Sequence, residues 1–131
     1  MDNPSRVDDP GDGEAFRAAM RLALISGVGP RIRRALVDRF GSAQDVLAAA
    51  PSELREVKGV GATLLRRILA AETDIDVDAE LARCRQHDVR VLLENSDAYP
   101  RVLREIHDPP GVLFLRGDLK PADALAIGIV G

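Results

Sequence analysis

The chain has 131 residues, 46% of them hydrophobic, with 18 Lys and Arg against 21 Asp and Glu, and only three Phe, one Tyr and no Trp; it suits one ordinary domain, or a small domain and part of a second, built on Leu, Val, Ile and Ala. A lone Cys84 excludes an internal disulfide and a cysteine-based zinc site. No apolar run approaches the ~20 residues that span a bilayer, and the acidic start MDNPSRVDDPGDGE is the reverse of a secretory signal, so the chain reads as cytoplasmic with no membrane span.

Residues 1–13, rich in Asp, Gly and Pro, have almost nothing to bury and read as a disordered tail. From Glu14, Phe16, Met20, Ala23 and Leu24 recur at the three- and four-residue steps of a helix. Gly27-Val28-Gly29-Pro30 breaks it, and a second helix begins at once with Pro30 in its first turn and Ile32, Leu36 and Phe40 on one face. Gly41 stops that helix. Ser42, with Asp45 three residues on, opens a short one in a capping-box pattern. Pro51-Ser52 starts another, with Leu54 and Val57 inward; Gly59-Val60-Gly61 ends it, and Leu64, Leu65, Ile68 and Leu69 line the next. Residues 14–72 therefore read as an all-α block.

The pattern changes after Ala71. Asp76 or Asp78 can cap a helix carrying Leu81 and Cys84, and Arg90–Leu93 reads as a strand. Asp97-Ala98-Tyr99-Pro100 is turn-like, the residues after Pro100 with Val102, Leu103 and Ile106 read as a helix, and Pro109-Pro110-Gly111 is a firm break. Val112–Leu115 is a second strand, and Ala126–Val130 reads as a buried strand of a parallel sheet. Residues 73–131 thus read as an α/β unit that is begun and not finished.

A duplication shifted by 32 positions runs through the helical block: Ile25-Ser26-Gly27-Val28-Gly29 matches Val57-Lys58-Gly59-Val60-Gly61, followed by Ile32 with Leu64, Arg34 with Arg66 and Leu36 with Ile68. Each copy reads helix, Gly-hydrophobic-Gly, helix, and the pair resembles a doubled helix-hairpin-helix. Glycines permit the tight reversal, the valine plugs it into the core, and the N–H groups opening the second helix can receive a phosphate oxygen at its positive end. Such contacts read no base sequence. The charge distribution agrees with a polyanion partner: residues 15–72 hold ten Lys and Arg against five acids, while residues 1–14 and 73–131 each carry a net −4. The candidate DNA-binding residues are Gly27, Val28, Gly29, Arg31, Arg33 and Arg34 in the first copy, and Lys58, Gly59, Val60, Gly61, Arg66 and Arg67 in the second. The same arrangement also serves sterile-alpha-motif-like protein-interaction domains, so a helical module that never touches DNA stands as the alternative.

No catalytic constellation is present. His87 and His107 stand apart, no His/Cys/carboxylate set has metal-ligand spacing, and Asp74, Asp76, Asp78 and Glu80 lack the glycine and terminal acid of a calcium loop. Neither a cofactor nor an enzymatic activity is expected.

Several stretches taken together resemble the DprA/Smf family of DNA-processing proteins. They are Leu24–Pro30, Arg39-Phe40-Gly41-Ser42-Ala43, the Gly59 hairpin, Tyr99-Pro100 followed by Leu103 and Ile106, Asp108–Phe114 with Gly117, and Ile127-Gly128-Ile129-Val130-Gly131, and their order and spacing carry the resemblance. It implies a cytoplasmic accessory protein that binds single-stranded DNA in natural transformation, dimerises and helps load RecA. It also implies an α+β chain: a SAM-like, doubled helix-hairpin-helix domain followed by the first strands of an incomplete Rossmann-like domain. The family's main DNA pocket lies on a glycine-containing loop after the Ile-Val-Gly strand, of which this chain holds Gly131.

Overall fold

A computed structural model describes residues 13–120; the expected tail before Gly13 and the expected terminal strand with Gly131 lie outside the described residues. In chain order the elements are α1 (Glu14–Leu24), α2 (Pro30–Phe40), α3 (Ala43–Ala48), α4 (Pro51–Arg55), α5 (Ala62–Asp74), α6 (Val77–Gln86), β1 (Val89–Leu93), α7 (Arg101–Arg104) and β2 (Val112–Arg116).

The internal repeat organises the core. Leu22, Ile25, Val28 and Leu36 from the first copy and Leu54, Val57, Val60 and Ile68 from the second are all buried in one cluster, and each pair stands 32 positions apart, as Leu22 does from Leu54. Burying side chains of this size is worth about 1.5–3 kcal/mol apiece, so the duplicated apolar positions supply much of the cohesion. Local signals set the helix ends. Gly41, at φ 98°, closes α2 with its N–H donating to the Val37 carbonyl at 2.7 Å. Ser42 caps α3 by accepting from the Asp45 N–H at 3.1 Å, and Asp76 caps α6 by accepting from the Ala79 N–H at 3.0 Å.

Helix α1 serves two cores. Leu22 enters the hairpin cluster, whereas Phe16 and Met20 join Val77, Leu81 and Leu93 in a second cluster beneath the strands. β1 and β2 pair antiparallel, from Val89 opposite Arg116 to Leu93 opposite Val112. Alternating strands and helices suggest parallel pairing, but parallel strands need a long crossover. Here the segment between them holds only the single turn of α7 and folds back on itself. Its closure comes from the Tyr99 hydroxyl, which donates to the Pro110 carbonyl at 2.7 Å, and from the Glu94 N–H, which donates to the Gly111 carbonyl at 3.1 Å. The described residues therefore form an α+β arrangement, mostly helical with a two-stranded sheet.

Two expectations are corrected. The helix after Pro100 is four residues long and leaves Val102 and Ile106 exposed, because the chain must turn back at once toward β2. Leu69, expected inside, is 48% exposed, since it lies off the α5 stripe of Leu64, Ile68 and Ala71. Replacing the fully buried Leu36 by Ala should therefore cost about 2–5 kcal/mol in urea unfolding. Leu69→Ala should stay within about 0.5 kcal/mol of the parent.

Candidate nucleic-acid interface

The two hairpins have the same backbone. Gly27 and Gly59 sit at φ 96° and 98°, a region closed to most side chains. The Val28 N–H then donates to the Ile25 carbonyl, and the Val60 N–H to the Val57 carbonyl, each at 3.0 Å. Gly29 and Gly61 follow as extended N-caps, and their carbonyls accept from the N–H groups of Arg33 and Leu65, each at 2.9 Å. Both valines are buried, as the repeat predicts.

The hairpins also hold each other. A Cβ placed on Gly27 would meet Leu64 Cδ1 and Arg67 Nη1 at 3.4 Å, and one on Gly59 would meet the Ile32 side chain at 3.3 Å. Ile32 and Leu64 are themselves repeat equivalents, so the contact is reciprocal. At Gly29 and Gly61, by contrast, a Cβ would meet nothing within 4 Å. Those two glycines face open space.

Helix starts differ in how their free N–H groups are treated. α3 and α6 have side-chain caps and acids in the first turn. α2 and α5 have neither a side-chain cap nor an acid in the first turn. In α5 the N–H groups of Gly61, Ala62, Thr63 and Leu64 have no intrahelical acceptor; in α2 Pro30 subtracts one donor. The positive ends of α2 and α5 are thus left for an acceptor from outside.

The basic residues divide sharply. Arg31, Lys58 and Arg66 are exposed, and among the described residues no ion pair holds them. Arg67 donates to the Ser26 carbonyl at 3.1 Å, tying the second copy to the first hairpin. Arg33 is only 17% exposed and is hydrogen-bonded to the Glu94 carboxylate, itself 22% exposed; Arg34 reaches the other oxygen of Glu94 at 3.6 Å. Arg33 lies across Gly111, where any Cβ would fall inside van der Waals contact with its Nε, Cδ and Cζ. The sequence marks Arg33 as a phosphate ligand; in the structure its guanidinium is paired with Glu94 and lies over Gly111. Glu94 and Gly111 carry no sequence signal for this contact, because the pairing spans 61 positions.

Asp78 pairs with Arg17, Glu80 with Arg83, and no cluster among the described residues could hold a metal ion. Burial pushes the Cys84 thiol up from its ordinary range, with the Glu80 carboxylate adding to the shift. No helix among the described residues is long and apolar enough to cross a membrane.

A family model described as a SAM-like helix-hairpin-helix tandem matches residues 19–71, and one described as DNA recombination-mediator protein A matches residues 90–131. Protein Smf of Synechocystis sp. is 30% identical over 111 residues, which cover 82% of this chain and 28% of that protein. UvrABC system protein C of Acinetobacter baylyi is 44% identical over 52 residues, 40% of this chain and 9% of that protein. The same-named protein of Gemmatimonas aurantiaca is 46% identical over 50 residues, 38% and 8% of the two chains. The chain thus spans well under a third of the length of these curated relatives. No solved structure matches it.

If Arg33 occupies the space a side chain at 111 would need, Gly111→Ala should cost about 1–3 kcal/mol in the parent. In an Arg33→Ala background it should cost much less, and a double-mutant cycle reads the difference. The raised thiol pKa leaves less thiolate at any given pH than a free cysteine has. Iodoacetamide should therefore label Cys84 slowly at pH 8 until urea unfolds the chain.

Proposed function

Given that this chain belongs to the DprA/Smf family of DNA-processing proteins, we propose that its helical unit holds single-stranded DNA by phosphate contacts at the two hairpins. The observation that carries this reading is the treatment of the helix starts. The hairpin helices α2 and α5 present uncapped N–H groups with no acid in their first turns, next to glycines that leave room for a backbone, while α3 and α6 are closed by their own side chains. A helix start of this kind favours an anionic oxygen. The second hairpin is the better site. It keeps all its N–H donors and has Lys58 and Arg66 free among the described residues. The first lacks one donor at Pro30 and has Arg33, with Arg34 in part, committed to Glu94.

The contacts reach phosphate and not base edges, so they fix position without reading sequence. Within the whole protein, of which this chain matches a part, the same reading makes it a cytoplasmic, non-enzymatic accessory factor in natural transformation and recombination. Dimerisation and assistance in RecA loading belong to that larger proposal, as does a principal DNA pocket after the Ile-Val-Gly segment at Gly131.

Fluorescence anisotropy with a labelled single strand at low salt tests the hairpins. Lys58→Ala, Arg66→Ala and Arg31→Ala combined should weaken binding at least tenfold. They should also flatten the salt dependence by about 2 in slope, at ~0.7 per lost phosphate contact. Arg33→Ala should change neither the affinity nor the slope beyond its effect on stability. Absence of any binding at low salt would favour the alternative, a protein-interaction module, whose partner the same charge changes would release.

A further inference from the structure

We propose that the cleft between the first hairpin and β2 is a slot for an unpaired nucleobase, stacked on Phe114, from a strand whose phosphate lies at Gly29. The inference rests on the single-strand reading above and adds a base contact to it. The cleft has a volume of about 170 Å³, and its lining includes Leu24, Val28, Gly29, Pro30, Arg33 and Phe114.

Phe114 is 46% exposed, whereas Phe16 and Tyr99 are buried, and Phe40 is half-buried under the Arg39 guanidinium, 5.5 Å from its ring centre. It is thus the exposed aromatic ring among the described residues, and it faces a cleft instead of standing alone on the surface. The slot has the features that single-strand binders combine: an aromatic face beside a phosphate-accepting track. Gly29 belongs both to the cleft lining and to the uncapped start of α2, so a strand whose phosphate approaches that glycine carries its base past Phe114. Arg33 also lines the cleft, but Glu94 and the Gly111 backbone hold it, so the stacking falls to Phe114. The walls are otherwise apolar, and no acidic side chain lines the cleft. An apolar anchor from a protein would also fit the walls, but the uncapped start of α2 and the exposed Arg31 beside it match a nucleotide. In a duplex the base is paired and stacked, so the slot selects single strands.

The sequence has no Trp, so Phe114→Trp creates a single fluorescent reporter at the slot. A short oligothymidylate should quench it, and an abasic strand of the same length should not. Phe114→Ala should weaken oligothymidylate binding about five- to tenfold, the lower range for loss of one stacked base. Phe114→Leu, which keeps the apolar volume and guards against misfolding, should do the same. Neither change should alter binding of the abasic strand. Binding that depends on Lys58 and Arg66 but is indifferent to Phe114 and to the presence of bases overturns the slot and leaves the phosphate reading standing. No binding of any strand at low salt overturns both.

Discussion

Each hairpin is closed by the other. Gly27 lies on Leu64 and Gly59 on Ile32, and both glycines hold a positive φ that most residues avoid. Because Leu64 is the repeat equivalent of Ile32, one mutual contact locks two reversals in the same geometry. It carries Val28 and Val60 into a common core and leaves Gly29 and Gly61 exposed, with open helix starts behind them. The position of Arg31, Lys58 and Arg66 on the surface follows from that contact.

A symmetric core does not make a symmetric surface. Arg33 has Leu65 as its repeat counterpart, and the leucine packs on the core while the arginine reaches out to Glu94. A partly buried carboxylate held by two guanidinium groups is well satisfied where it stands, and it occupies Arg33 and part of Arg34 while Arg31 stays exposed. Glu94 thus ties the helical block to the strands and, in doing so, makes the surfaces of the two hairpins unequal. Arg104 strengthens the same corner, donating to the carbonyls of Glu94 at 3.0 Å and Ser96 at 2.7 Å.

The helices, their caps and both strands are readable from periodicity and punctuation, because glycine, proline and capping residues act within a few positions of themselves. The doubled hairpin is readable because duplication leaves a fixed spacing in the residues. What the residues hide is tertiary choice. The direction of strand pairing depends on how the Tyr99 loop closes, and the internal commitment of Arg33 depends on an acid far along the chain. A run of arginines beside a hairpin looks alike on paper whether the side chains meet solvent or each other's counter-ions. The cleft at Phe114 is hidden for the same reason, since its two walls come from opposite ends of the described chain.

The sharing of α1 between two clusters has a consequence for cooperativity. Phe16 and Met20 cannot leave the strand side without drawing Leu22 and Ile25 from the hairpin side, since all four belong to one short stretch of chain. The hairpins and the strands therefore melt as a single body. A ligand that tightens either part protects the amide hydrogens of both from exchange.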